Sequence, residues 1–184
     1  MDEYRIRPAL VNDAKGIAKV HVYAWQSAYL GLIPDFFLQG LDVEQGTANW
    51  IKNIETPLPT AHTFVAEINE EIIGFIGVGA DRENVLPNQG EVYAIYVSPY
   101  LHRRGIGTAL MHAGLQDLSV QGFTGAVLWV LEGNLGTRAW YESQGWKSGG
   151  RSKTDQRENF ALEEIEYRIE FPIDLGRATM KVVY

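Results

Sequence analysis

The sequence predicts a mixed α/β (α+β) fold built around one sheet, and three observations lead there. Strand-like and helix-like patterns follow one another as β-α-α-β-β-β-α-β-α-β, which places both kinds of element in one unit. Ala126–Val130 is a continuous apolar run of strand length, as expected for a strand covered on both faces. The 184 residues are 46% apolar and 21% charged, ordinary globular values at a length that suits one domain with modest extras. We expect a single domain over residues 1–171 and a tail, 172–184, to which the pattern assigns no structure.

Tyr4-Arg5-Ile6-Arg7 alternates and stops at Pro8, which predicts a short first strand. Asn12 and Asp13 can cap a helix running to about Tyr29 and closed off by Gly31 and Pro34. Its apolar stripes are Ile17/Val20/Ala24/Ala28 and Val22/Trp25/Tyr29, leaving Lys15, Lys19 and Gln26 for water. Residues 34–55 read as one or two short helices before Pro57 and Pro59 break the pattern. Three strands follow at His62–Glu67, Ile72–Ala80 and Glu91–Val97, the first two joined by an Asn69-Glu70-Glu71 turn. A helical stripe runs from Ile106 through Leu118, and Asn134 can cap a short helix ending at Gly145. Ser148–Asn159 has no assignable pattern, and a last strand lies near Glu163–Phe171.

Composition narrows the function classes. The absence of cysteine removes disulfides, thiolate nucleophiles and thiolate metal sites together. The longest apolar run, Ile72–Ala80, is less than half of what a membrane span needs, and the N-terminus lacks a signal pattern, so a cytoplasmic protein is expected. A net charge of −7 argues against nucleic-acid binding. All of that charge falls on residues 1–101, which carry 13 of the 23 acidic side chains and only six basic ones. Such an asymmetry suits either a cationic substrate beside an anionic cosubstrate or a merely acidic surface. Gly105-Ile106-Gly107 has Leu110 where a dinucleotide fingerprint needs its third glycine, and no P-loop or GxSxG elbow occurs. The four histidines lack metal-binding spacing, so no metal is expected.

What survives is a strand, a turn and a helix. Glu91–Val97 leads through Ser98–Thr108 into the helix, and a turn feeding a helix start aims several N–H groups one way with the positive end of the dipole behind them. Gly105 and Gly107 remove β-carbons that would hold a pyrophosphate away, and Arg103 and Arg104 offer countercharge. A tight turn alone would also explain the glycines.

At this point the sequence resembles the GNAT superfamily of N-acetyltransferases over most of its length. YAIYVSPYLHRRGIGTALM is similar to that family's central strand and (Gln/Arg)-x-x-Gly-x-(Gly/Ala) loop, with His102 in place of Gln or Arg. Asn134 through Trp146 resembles the Asn-x-x-Ala-x-x-x-Tyr…Gly-(Phe/Trp) motif, with Thr137 where Ala is usual, and IAKVHVYAWQSAYLGLIP resembles the first helices of bacterial members. The resemblance implies an acetyltransferase domain with a mostly antiparallel sheet, splayed between the fourth and fifth strands and flanked by helices. It implies acetyl-CoA as cosubstrate, bound by main-chain groups at Ile95, Tyr96 and Val97, by the loop His102, Arg103, Arg104, Gly105, Ile106, Gly107 and Thr108, and by Asn134.

The resemblance also implies roles. Val97 N–H would polarise the thioester carbonyl. Tyr141 would protonate the leaving thiolate; reference pKa values near ~10 and ~8.5 make that transfer uphill by only about 1.5 units. Glu91, 11 residues before His102, has the offset of the catalytic Glu in histone-acetylating members and is the expected base, directly or through water. Tyr93, on the same strand face, would help hold the amine. Independently of the resemblance, the size of Trp25 and Tyr29 on the second stripe of the first helix suggests a wall for the acceptor, and the charge imbalance suggests a small cationic amine, with a protein or peptide amine or a non-catalytic acyl-CoA-binding module as alternatives. A homodimer is compatible with the sequence.

Overall fold

The computed structural model describes residues 3–83, 85 and 88–171, so the expected tail lies outside the described residues. The chain runs β1 (Arg5–Pro8), α1 (Ala14–Ala28), α2 (Asp35–Gln39), α3 (Val43–Glu55), β2 (His62–Ile68), β3 (Glu71–Ala80) and β4 (Gln89–Val97). It continues with α4 (Ile106–Val120), β5 (Gly125–Leu131), α5 (Leu135–Ser143), β6 (Lys147–Gln156) and β7 (Ala161–Glu170). The strands form one sheet in the order β1-β2-β3-β4-β5-β7-β6, antiparallel except for β4 against β5.

Local chemistry accounts for the turns. Asn69 and Glu70 both take positive φ, 49° and 68°, the backbone a two-residue hairpin needs. Gly31 (φ 77°) follows the end of α1, and Gly145 (φ 91°) follows α5. Asn134 caps α5 as expected, its side chain accepting from Thr137 N–H at 3.2 Å. Asp13 instead spends its carboxylate on Leu10 N–H and on Arg7 rather than on the start of α1.

The sheet is covered on both faces. On one side Ile76, Val78, Val92, Leu128 and Val130 pack under Leu110, Leu118 and Tyr141. On the other, Ile17 and Val20 of α1 cover Val65 and Phe75, and a smaller cluster gathers Ile33, Leu38, Leu131 and Leu162 below α2. Two α1 assignments are corrected by this packing. Ala28 is exposed rather than part of the buried stripe, and Gln26 is half-buried, donating to Leu38 O at 3.0 Å.

The largest departure is β6. Lys-Ser-Gly-Gly-Arg-Ser-Lys-Thr-Asp-Gln contains no apolar side chain, yet it forms ten residues of edge strand. Charge holds its face where a core would normally do so. Arg151 bonds Glu166 of β7, and the Lys153 ammonium lies 4.1 Å from the Trp129 ring centre.

Candidate active site

The parallel pairing of β4 with β5 stops at Val92 and Leu128, although β4 continues to Val97 and β5 to Leu131. Beyond that point the sheet opens into a cleft of about 750 Å³ whose lining includes Tyr93–Val97, Trp129–Leu131 and the loop before α4. Ser98 N–H bonds Ile73 O of β3 at 2.8 Å. Backbone groups alternate sides along a strand, so Val97 N–H turns the other way, toward the gap.

A bulge reassigns the faces of β4. Gly77 pairs with Ala94 and Val78 with Val92, leaving Tyr93 as an extra residue. Strict alternation would set Glu91 and Tyr96 on opposite faces, since they lie five positions apart. The extra residue turns both to the α1 side. Val92, Ile95 and Val97 are left facing the core under α4. Gly79 makes room for the bulged ring, because a β-carbon there would collide with Tyr93 Oη.

The loop before α4 forms one wall. Gly105 takes φ 78°, and Arg103 is also left-handed at φ 60°. The first helical bond runs from Ala109 N–H to Gly105 O, so Ile106, Gly107 and Thr108 present N–H groups with no helical acceptor. Leu101, His102, Arg103 and Gly105–Thr108 line the cleft, whereas Arg104 is exposed and outside its lining. His102, the residue that departs from the family pattern, uses its ring Nε2 on Val97 O at 3.3 Å. Asn134 and Tyr141 line the cleft from α5. Burial, reinforced by the nearby Tyr29, pushes the Tyr141 phenol well above its usual range, so it stays protonated.

The opposite end is built from side chains. Trp25 meets Tyr29 edge to face at 4.9 Å, and the Tyr29 and Tyr96 hydroxyls lie 3.0 Å apart. Burial pushes the Tyr93 phenol up to about 12, and its hydroxyl donates to Ala80 O at 2.7 Å. Glu91, expected as the base, is 1% exposed. It accepts from Arg82 N–H at 2.9 Å and from the Arg82 guanidinium on both oxygens. Arg82 in turn stacks on Tyr93, 4.7 Å from the ring centre. Sequence reasoning did not place Arg82, Trp129, Lys153, Asp155, Arg157 and Glu164 here, yet all six line the cleft. One signal was available for Glu164, because alternation from Leu162 to Glu166 sets those residues on one face against Ile165 and Tyr167.

Residues 23–146 match the acetyltransferase (GNAT) family. The chain belongs to the GNAT family. YuaI of Bacillus subtilis (strain 168), an uncharacterized N-acetyltransferase, is 33% identical over 130 residues, covering 70% of this chain and 72% of that protein. Among solved structures, PaiA N-acetyltransferase from Thermoplasma acidophilum in complex with coenzyme A superposes with a TM-score of 0.71 at 17% identity, covering 92% of this chain and 99% of that one. YncA from Salmonella typhimurium with its cofactor acetyl-CoA gives 0.66 at 17%, covering 96% and 99%. The splayed, mostly antiparallel sheet is thus the GNAT fold, and the protein is an acyltransferase of that family. Among the described residues no helix is long and apolar enough to cross a membrane.

Proposed function

We propose that this GNAT enzyme moves the acetyl group of acetyl-CoA to a primary amine by direct attack within a ternary complex. One observation carries the reading: the unpaired edge of β4, the N–H groups at the start of α4 and the Tyr141 phenol all face one cleft. The residues present suit the cosubstrate. Arg103 and the N–H groups of Ile106, Gly107 and Thr108 would take the pyrophosphate, and the free edge at Ile95–Val97 would pair with pantetheine amides. Bound acetyl-CoA supplies a thioester carbonyl and a thiol leaving group. Val97 N–H would stabilise charge developing on that carbonyl oxygen, and Tyr141 would give its proton to the departing sulfur.

Glu91 has the position expected of a base, but its carboxylate oxygens are occupied by Arg82. In this reading it anchors the Arg82–Tyr93 stack and leaves the acceptor's proton to another group. A small amine that arrives as an ammonium remains the acceptor we favour, supported by the rings of Trp25, Tyr29 and Tyr93. The charge imbalance between the two halves of the chain does not add to that support. Arg82, Arg103, Lys153 and Arg157 line the cleft alongside Glu91, Asp155 and Glu164, which is no net acidic rim.

CoA release with spermidine, an aminoglycoside, neutral amino acids and a Lys peptide, assayed side by side, tests the reading. Turnover of at least one amine, with preference for the small cationic ones, is expected. Acetyl-CoA binding without turnover of any amine would instead favour a non-catalytic acyl-CoA-binding module.

A further inference from the structure

Glu164 stands apart from every other carboxylate in the cleft. It lies on β7, opposite Leu131 of β5 on one side and Lys153 of β6 on the other. It shares the sheet face of Trp129 and Leu131, in the stretch of β5 that β4 has left. Its side chain is 22% exposed, and among the described residues its one ion pair is with Lys153 Nζ at 3.7 Å, too far for a hydrogen bond. Glu91 is tied to Arg82, and Asp155 pairs with Arg157. Among the described residues nothing hydrogen-bonds the Glu164 carboxylate, which lines the cleft together with Tyr29, Tyr141 and the open edge of β4.

We propose that Glu164 is the general base of the transfer, the carboxylate that takes a proton from the acceptor's ammonium. The inference rests on the acetyltransferase reading above and names a residue that neither the motifs nor the family resemblance points to. The proton count closes. The ammonium gives its first proton to Glu164, which passes it to solvent. The freed lone pair attacks the thioester carbon, and the carbon–sulfur bond breaks as Tyr141 protonates the sulfur. The second proton on nitrogen then restores the Tyr141 hydroxyl. The products are the acetamide, CoA thiol and one proton.

The environment favours this role. A base of ordinary carboxylate strength is a poor match for an alkyl ammonium near ~10.4. Burial raises Glu164 above that range, Asp155 adds to the rise, and Lys153, Arg157 and Arg82 oppose it. Tyr29 is the remaining titratable neighbour; burial holds its phenol protonated, and Glu164 reinforces that.

The test uses two acceptors that differ in their need for a base. Spermidine arrives protonated, whereas hydroxylamine is already neutral at pH 7. For Glu164→Gln, CoA release with spermidine should fall about 10²–10⁴-fold at pH 7, while release with hydroxylamine should change less than about threefold. The spermidine profile of the variant should rise about tenfold per pH unit, in place of the wild-type plateau above the Glu164 titration. Glu164→Asp should recover part of the loss. Acetyl-CoA affinity by calorimetry, which probes the transferase reading independently, should match wild type in both variants. Equal losses with both acceptors, or wild-type spermidine turnover in Glu164→Gln, would overturn the proposal. So would the acceptor-dependent loss appearing in Glu91→Gln instead.

Discussion

The two sides of the cleft are built from different materials. The side toward α4 is mostly main chain: free N–H groups at a helix start and an unpaired strand edge, held in place by backbone geometry. The acceptor side is mostly side chain, with aromatic rings and charged groups from α1, the end of β3, β5, β6 and β7. Main-chain groups persist whatever side chain they carry, proline excepted, so the first side suits a ligand that never changes. The second can be retuned residue by residue, which suits one fold serving many acceptors.

Within the acceptor side, β7 offers a closer contrast. Glu164 and Glu166 sit two residues apart on one face, yet their surroundings oppose each other. Burial works to raise Glu166, but Arg151 and Arg168, at 2.9 and 2.7 Å, hold it below the usual carboxylate range. Glu164 has no arginine so close among the described residues, only Lys153 at 3.7 Å, and burial holds it above that range. Burial pushes both carboxylates up, and close pairing with arginine reverses that push only at Glu166.

Four outcomes would break or sharpen these contrasts. The largest concerns Tyr141, where both sides meet. Tyr141→Phe should lose about 10²–10⁴ in kcat with acetyl-CoA affinity unchanged, read by steady-state CoA release and calorimetry. Near wild-type turnover would reassign the residue to packing against Trp146 and Tyr167. Next, Glu166→Gln should lower unfolding stability by about 2 kcal/mol, less than a fully buried pair because both arginines are partly exposed. Glu164→Gln should leave the urea midpoint near wild type. Equal destabilisation of the two would erase the contrast.

The third outcome is a pH effect. Burial among Trp25, Trp50, Phe75 and Tyr96 pushes the His21 ring down to about 4. The unfolded chain takes up that proton near pH 6.5 while the folded chain does not. Stability should therefore fall from about pH 6.5 down to about pH 4, by roughly 3 kcal/mol. His21→Phe should flatten the decline in urea titrations at fixed pH values; an identical decline in the variant would assign it to other groups. The smallest effect is on ligand binding: raising salt from low to physiological ionic strength should weaken acetyl-CoA binding a few-fold, because Arg103 is exposed to screening.

The same contrast explains what the amino-acid sequence made legible. The main-chain wall is contiguous, so His102–Thr108 and the helix after it could be read in place, and Asn134 declared its cap seven residues before Tyr141. Most of the helices and strands followed from periodicity because their faces are buried. β6 did not, since its face is stitched by Arg151 and Lys153 rather than by apolar side chains. The bulge at Tyr93 leaves no local mark, and it alone brings Glu91 and Tyr96 to one side. Arg82, Trp129, Lys153 and Glu164 meet only in three dimensions, because they come from four segments of the chain. Glu91 illustrates the cost: its offset from the loop was readable, but its Arg82 partner, nine residues earlier, was not.

Calorimetry of acetyl-CoA binding to wild type and Gly107→Glu probes the cleft most directly. A β-carbon at position 107 would meet Trp140 at 3.4 Å, an ordinary contact, so the variant should fold and melt like wild type. Its carboxylate would stand among the N–H groups assigned to the pyrophosphate. Wild type should bind one acetyl-CoA per chain, and the variant should bind at least about tenfold more weakly, roughly 1.4 kcal/mol. Unchanged affinity in a folded Gly107→Glu protein would contradict the assignment of the α4 loop as the pyrophosphate site.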